Sequence, residues 1–319
     1  MKVLITGIAG FIGSHLAERM VARGDEVVGL DNFDPFYGRE IKERNIDAFR
    51  ATARLIEGDL LDADLVGKIL DEGKFDVIVH LAALAGVRPS IKAPARYQKV
   101  NVEGTAILAD LAVHHRVPSF VFASSSSVYG DTTSVPFKES DRADAPVSPY
   151  GASKRSGELL LRSLHLVHGL PVTALRFFTV YGPRQRPEMA IHAFTRAIDR
   201  GEPVTLFGSG TSRDYTYVDD ILQGVLGAID RKPGGFEIYN LGNSHAVELP
   251  RLVSIIAGAL GKEARIEHGP MQPGDVKQTF ASLDAARRDL RYEPRIPIEE
   301  GVRRFVEWYR SGSSSAGPR

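Results

Sequence analysis

Ser148-Pro-Tyr-Gly-Ala-Ser-Lys154 brings together residue types able to move a proton. Ser148 suits a helix N-cap, and Pro149 suits the first helical position, where its missing N–H would be unpaired anyway. Leu159, Leu160, Leu161 and Leu164 then continue with helical apolar spacing. Tyr150 and Lys154 therefore stand at i and i+4, about one turn apart on one face. An ammonium beside a phenol favours the phenolate, and the positive end of the helix acts in the same direction. A tyrosine acidified in this way serves as a general base near neutral pH. The alternative is an exposed helical pair, since Tyr-x-x-x-Lys recurs by chance, so the motif needs a cofactor site to serve.

Such a site is written at the start of the chain. Lys2–Thr6 has the β-branched form of a buried parallel strand. It runs into Gly7-Ile-Ala-Gly10-Phe-Ile-Gly13, and a helical pattern follows through Leu16, Met20 and Val21. Strand, glycine turn and helix together predict a dinucleotide site. Gly7 makes the tight turn, Gly10 admits the pyrophosphate to the backbone, and Gly13 lets helix and strand pack closely. The pyrophosphate then rests on the helix N-terminus. A second strand, Glu26–Leu30, ends at Asp31, whose carboxylate suits both adenosine ribose hydroxyls and repels a 2′-phosphate. That predicts NAD rather than NADP.

Further strands are expected at residues 54–60, 76–80, 119–123 and 172–177, alternating with helices. The pattern predicts a doubly wound parallel sheet, with ligands at the strands' carboxyl ends. Asp59 and Leu60 lie at one such end, and Leu81-Ala82-Ala83 at the next. The small alanines either leave room for a cofactor or pack closely. His80 reads as structural. Arg88 reads as a loop arginine, either solvated or reaching an anionic substrate. A helical pattern spans about Pro94–His115, with Asn101 and Thr105 interrupting its apolar face. The serines 124–127 follow the fifth strand and are expected to turn a hydroxyl toward the site.

Composition narrows the class. The chain has 319 residues, long for one core, and 40 basic residues balance 40 acidic ones. That balance gives no electrostatic case for nucleic acid or an anionic membrane. With no cysteine, disulfides and thiolate zinc sites are ruled out, and no metal site is expected. The opening apolar run is too short for a signal peptide and no stretch has transmembrane length, so a cytoplasmic protein is expected.

Thr6-Gly-Ile-Ala-Gly-Phe-Ile-Gly13, Asp59-Leu60, His80-Leu-Ala-Ala83, Ser125 and Tyr150-x-x-x-Lys154 resemble, in order, the extended short-chain dehydrogenase/reductase family in its nucleotide-sugar epimerase branch. The likeness runs from residue 1 to about 310. It implies that Ser125 hydrogen-bonds the reacting sugar hydroxyl, that Tyr150 takes its proton, and that Lys154 holds the nicotinamide ribose and keeps the tyrosine acidic. It implies hydride transfer from sugar carbon 4 to tightly held NAD, turnover of the ketone within the pocket, and return of the hydride to the other face. Phe11, Ile12, Asn32 and Asn101 join the implied cofactor contacts. The implied domains are an NAD-binding Rossmann domain at 1–178, rejoined by about 216–243, and a smaller α/β substrate domain at 179–215 and 244–310. Relatives imply a homodimer through a four-helix bundle that includes the Tyr150 helix. The Ser/Gly-rich residues 311–319 read as a flexible tail.

The same resemblance points to a UDP-sugar. Phe207 is expected near the uracil with Thr205 a further contact, Arg213 (read as a loop residue) on the diphosphate, and Asp275 on a ribose. Phe177-Phe-Thr179-Val-Tyr-Gly-Pro-Arg-Gln-Arg186-Pro is similar to UDP-glucuronate 4-epimerases. UDP-galactose epimerases more often carry asparagine where Thr179 stands. A sugar carboxylate needs a charged partner, and Arg186 with Thr179, Ser126 and Ser127 would supply one. The alternative for Arg184 and Arg186 is a solvated basic loop. UDP-glucose and UDP-N-acetylglucosamine remain alternative substrates. Related dehydratases place Asp-Glu where Ser126 and Ser127 stand, and related decarboxylases carry a glutamate in that run. Both chemistries are therefore disfavoured, as is a non-catalytic dinucleotide-binding regulator.

Overall fold

A computed structural model describes residues 1–131, 135–208, 210–231 and 234–313. The main sheet contains β1 (Lys2–Thr6), β2 (Glu26–Asp31), β3 (Arg54–Glu57), β4 (Val77–His80), β5 (Phe120–Ser125) and β6 (Val172–Phe177). Three short strands follow, β7 (Thr179–Tyr181), β8 (Val204–Phe207) and β9 (Ser212–Tyr217), and then β10 (Phe236–Leu241). β11 (Ala246–Glu248) and β12 (Ile266–Gly269) complete the set. Strand order in the main sheet is β10-β6-β5-β4-β1-β2-β3, and every pairing within it is parallel. This is the expected doubly wound Rossmann sheet. Its order reverses between β1 and β4, and such a reversal opens a crevice at the strands' carboxyl ends.

Alternating residues of the buried strands feed two apolar layers. Val3, Ile5, Val77 and Val79 join one cluster, and Leu4, Ile78 and Phe122 join the other. A parallel strand covered on both faces needs this continuous apolar run. Two smaller sheets, β11-β9-β7 and β12-β8, stand apart from the main one.

The Tyr150 helix spans Pro149–His168. The Ser148 hydroxyl accepts from the Gly151 N–H at 3.1 Å, and Gly169 closes the helix with φ of 74°, as the local chemistry dictates. A buried ion pair ties this helix to the sheet. Glu158 accepts from Arg176 at 2.9 and 2.8 Å and from the Ser124 hydroxyl at 2.5 Å. Removing one partner of such a pair strands the other charge, at a cost of about 3–5 kcal/mol.

Several local expectations change. Ser124 and Ser125 belong to β5 itself, and Ser126–Tyr129 form a short 3-10 turn. Arg213 lies on β9 rather than in a loop, and Arg88 lies on a short helix, Val87–Lys92. The helix from Pro94 passes through one wider π-type turn at Lys99–Glu103 before resuming. Tyr309–Ser313 continues the last helix as a turn, where the Ser311 hydroxyl donates to the Trp308 carbonyl at 2.8 Å. The first residues of the expected tail, 311–313, belong to this turn, and its residues 314–319 lie outside the described residues. No described helix is long and apolar enough to cross a membrane. No cluster of metal-ligating side chains occurs among the described residues.

Candidate active site

One cavity of about 480 Å³ runs from the glycine turn to the Tyr150 helix and on to the smaller sheets. Its walls include Gly7, Gly10, Phe11, Ile12 and Gly13, then Asp31 closing β2 and Asn32 after it, Asp59 and Leu60 after β3, and Leu81–Ala83 after β4. The strands' carboxyl ends thus bring together residues scattered over the first half of the chain.

The turn fits a dinucleotide on its own geometry. Gly7 has φ of 73°, a conformation in which only glycine is unstrained. A Cβ on Gly13 would stand 2.1 Å from the Gly7 carbonyl oxygen, so the helix approaches the strand as closely as the motif requires. The helix Phe11–Ala22 starts at Gly10 with no side-chain cap, which leaves its positive end facing the cavity. Asp31 is buried and accepts from the Ala9 N–H at 3.0 Å and the Phe33 N–H at 2.8 Å. Its carboxylate therefore shapes the turn as well as facing the cavity. Asn32 donates to Asp59 at 2.9 Å, which joins the exits of β2 and β3.

At the centre, Ser125, Ser126, Ser127, Tyr150 and Lys154 share one wall. The Ser125 hydroxyl lies close enough to the Tyr150 phenol to favour its ionised form. Lys154 behaves differently from the helix-face expectation. Its ammonium donates to the Ala123 carbonyl at 2.7 Å and lies 5.1 Å from the Phe122 ring centre. Burial pushes its pKa down to about 7. Burial raises Tyr150, opposed by the Ser125 hydroxyl and then by the positive charge of Arg186. Ser125, Tyr150 and Lys154 thus stand together in the cavity wall, and the positive charge felt by Tyr150 is that of Arg186.

The substrate side holds Thr179, Arg186, Arg213 and Asp275 in the cavity wall. Arg186 sits with its guanidinium 5.4 Å from the Phe36 ring centre and 3.0 Å from Glu188. Arg213 is turned partly onto backbone, donating to the Ser212 carbonyl at 2.9 Å.

Four predicted contacts stand outside the lining. Asn101 is spent on structure, because its amide bridges Leu84 (accepting from N–H at 2.8 Å, donating to the carbonyl at 2.9 Å) and the Ser153 hydroxyl. Arg88 pairs with Asp275 at 2.9 Å and covers the Phe207 ring at 5.0 Å, so neither Arg88 nor Phe207 lines the cavity. Thr205 is also absent from its wall. His80 is structural as expected, held between the Thr6 and Thr105 hydroxyls at 2.7 and 2.9 Å.

Phe36, Tyr37, Lys42 and Met189 line the cavity unforeseen. Lys42 is buried with its ammonium 3.5 Å from Asp31. A lysine on the buried side of the second helix carries no spacing signal, and only its burial reveals it.

Known proteins share this fold. UDP-glucuronate 4-epimerase 1 of Arabidopsis thaliana is 41% identical, over 98% of this chain and 77% of its own. The crystal structure of a UDP-glucuronic acid 4-epimerase from Bacillus cereus, bound to UDP-glucuronic acid and NAD, superposes with a TM-score of 0.92 at 35% identity, covering 98% of this chain and 99% of that one. A UDP-glucose 4-epimerase from Thermotoga maritima, solved with UDP-glucose, gives 0.90 at 32% identity, over 98% and 99% of the two chains. Residues 3–242 match the model of the NAD dependent epimerase/dehydratase family, and the chain belongs to that family.

Proposed function

We propose that this enzyme interconverts UDP-glucuronate and UDP-galacturonate by epimerisation at sugar carbon 4. The observation that carries the reading is the placement of Arg186, a cation in the cavity wall whose charge acts on Tyr150. A substrate carboxylate at that wall would gain a charge-assisted partner. Bound NAD would supply an acceptor that takes the hydride from carbon 4 and returns it within one turnover. Tyr150 takes the proton of the carbon-4 hydroxyl, and Ser125, beside it in the wall, orients that hydroxyl. On return, Tyr150 hands the proton back, so the enzyme ends each cycle unchanged.

The acids of the wall support epimerisation over dehydration. They are Asp31, Asp34, Asp59 and Asp275 among the described residues, three of them at the ends of β2 and β3 or just beyond and one paired with Arg88. The run beside Tyr150 offers only serine hydroxyls, whereas expelling water needs an acid and a base. Exposed Leu159, Leu166 and Val167 on the Tyr150 helix support pairing of two copies through that face. Sedimentation as a monomer would remove the dimer from this proposal.

The direct test follows sugar protons by NMR when purified protein is incubated with UDP-glucuronate and no added NAD. Conversion to UDP-galacturonate is expected. Formation of a UDP-pentose instead would establish decarboxylation. No reaction after NAD is supplied, with turnover of UDP-glucose or UDP-N-acetylglucosamine, would move the substrate to a neutral sugar.

A further inference from the structure

Arg186 is delivered by an uncommon turn. Gly182 has φ of 144° and Arg184 has φ of 65°, and a non-glycine residue in the left-handed region persists only where its surroundings hold it there. The holding contacts come from two directions. On one side is the helix Phe11–Ala22, which begins at the glycine turn. His15 Nε2 meets the Pro183 carbonyl at 2.9 Å, which requires the proton on that nitrogen. Arg184 donates to Glu18 at 2.7 Å. On the other side, His192 Nδ1 meets the Gln185 carbonyl at 2.8 Å, and the buried Gln185 side chain donates to the Val180 carbonyl at 3.1 Å. His192 is itself packed against Phe305 and Trp308. Successive side chains thus part company: Arg184 goes to the helix, Gln185 goes inward, and Arg186 enters the cavity wall.

We infer that this turn is a positioning device, in which His15, Glu18 and Arg184 aim Arg186 and so set selectivity for an acidic sugar over a neutral one. The inference rests on the reading of Arg186 as the carboxylate anchor. None of the three residues lines the cavity, so they act through Arg186. A guanidinium fork recognises a carboxylate only in a narrow range of geometry. A tie to the helix that carries the dinucleotide turn places the anchor in register with the hydride acceptor's site.

Aim also governs a side reaction. Oxidation at carbon 4 makes the substrate a β-keto acid. If its carboxylate swings free, the bond from carbon 5 to the carboxylate breaks and carbon dioxide leaves. The electron pair becomes an enolate across carbons 4 and 5, and carbon 5 takes a proton from solvent. Hydride return then gives a UDP-pentose.

Glu18→Gln in the full-length enzyme with its cofactor tests the device, because Glu18 is half-exposed and the change keeps its size. For UDP-glucuronate, kcat/KM is expected to fall roughly tenfold, mostly through KM. UDP-glucose should be affected by less than about twofold, read as turnover or as its inhibition constant against UDP-glucuronate. The UDP-pentose share of the product should rise. Exchanging the charges, Glu18→Arg with Arg184→Glu, should restore selectivity. Equal losses on both sugars with a lowered melting temperature would reduce the contacts to stability alone and overturn the inference, as would unchanged kinetics for both. Arg186→Ala separates the two levels. If it lowers both sugars equally, the anchor reading itself fails. If it discriminates while Glu18→Gln does not, only the positioning role is lost.

Discussion

Tyr150→Phe is expected to lower kcat by roughly 10²–10⁴-fold, the range for loss of a general base, while the protein still binds NAD and UDP-sugar. Only the phenol hydroxyl is removed, the group on whose ionisation the Ser125 hydroxyl acts. The ring keeps its edge-to-face contact with Tyr97, with centroids 6.4 Å apart, so packing is preserved. Burial holds the phenol above its ordinary pKa, against the pull of Ser125 and Arg186. Only the deprotonated form can accept the substrate proton, so the wild-type rate should rise with pH on its acid side. The phenylalanine variant should lack that limb. Single-turnover absorbance of reduced cofactor measures the step directly. Residual activity within tenfold of wild type, with the pH limb intact, would assign the base elsewhere.

Arg186→Ala should carry the second largest effect and a different signature. A charge-assisted hydrogen bond contributes about 1.5–3 kcal/mol, so kcat/KM for UDP-glucuronate should drop about 10- to 100-fold. UDP-glucose lacks the carboxylate and should lose far less. The variant also loses the charge that pulls Tyr150 down, which predicts a smaller fall in kcat common to both sugars and a shift of the acid limb toward higher pH. Competition kinetics with the two nucleotide sugars in one reaction separates the selective loss from the common one. A common loss alone would leave Arg186 an electrostatic aid to Tyr150 and remove the carboxylate role.

Tyr97, Lys42 and Asn101 show why some of the site was unreadable in one dimension. Tyr97 meets Tyr150 because its own helix, Pro94–Gln98, packs on the Tyr150 helix. Asn101 carries the signal of a polar residue on an apolar helical face, and that signal is the same whether the amide binds a ligand or pins a loop. Here it pins Leu84 and Ser153. Lys154 was placed correctly, one turn from Tyr150, but where its ammonium points depends on the Ala123 carbonyl of a strand 31 residues away.

What the sequence determined by itself is whatever short-range chemistry dictates: the glycine turn, the carboxylate closing β2, the capped helix presenting Tyr150, and the strand–helix alternation that forces a parallel sheet. Each follows from sterics and hydrogen bonding within a few residues. Tertiary structure alone decided which charges meet. Arg88 finds Asp275 across 187 residues and Arg184 finds Glu18 across 166, and these pairings decide that Arg88 leaves the cavity while Arg186 stays in it. Burial did the rest. It set the pKa directions of Tyr150 and Lys154, because the cost of losing water depends on the whole packed surroundings and not on the neighbours along the helix.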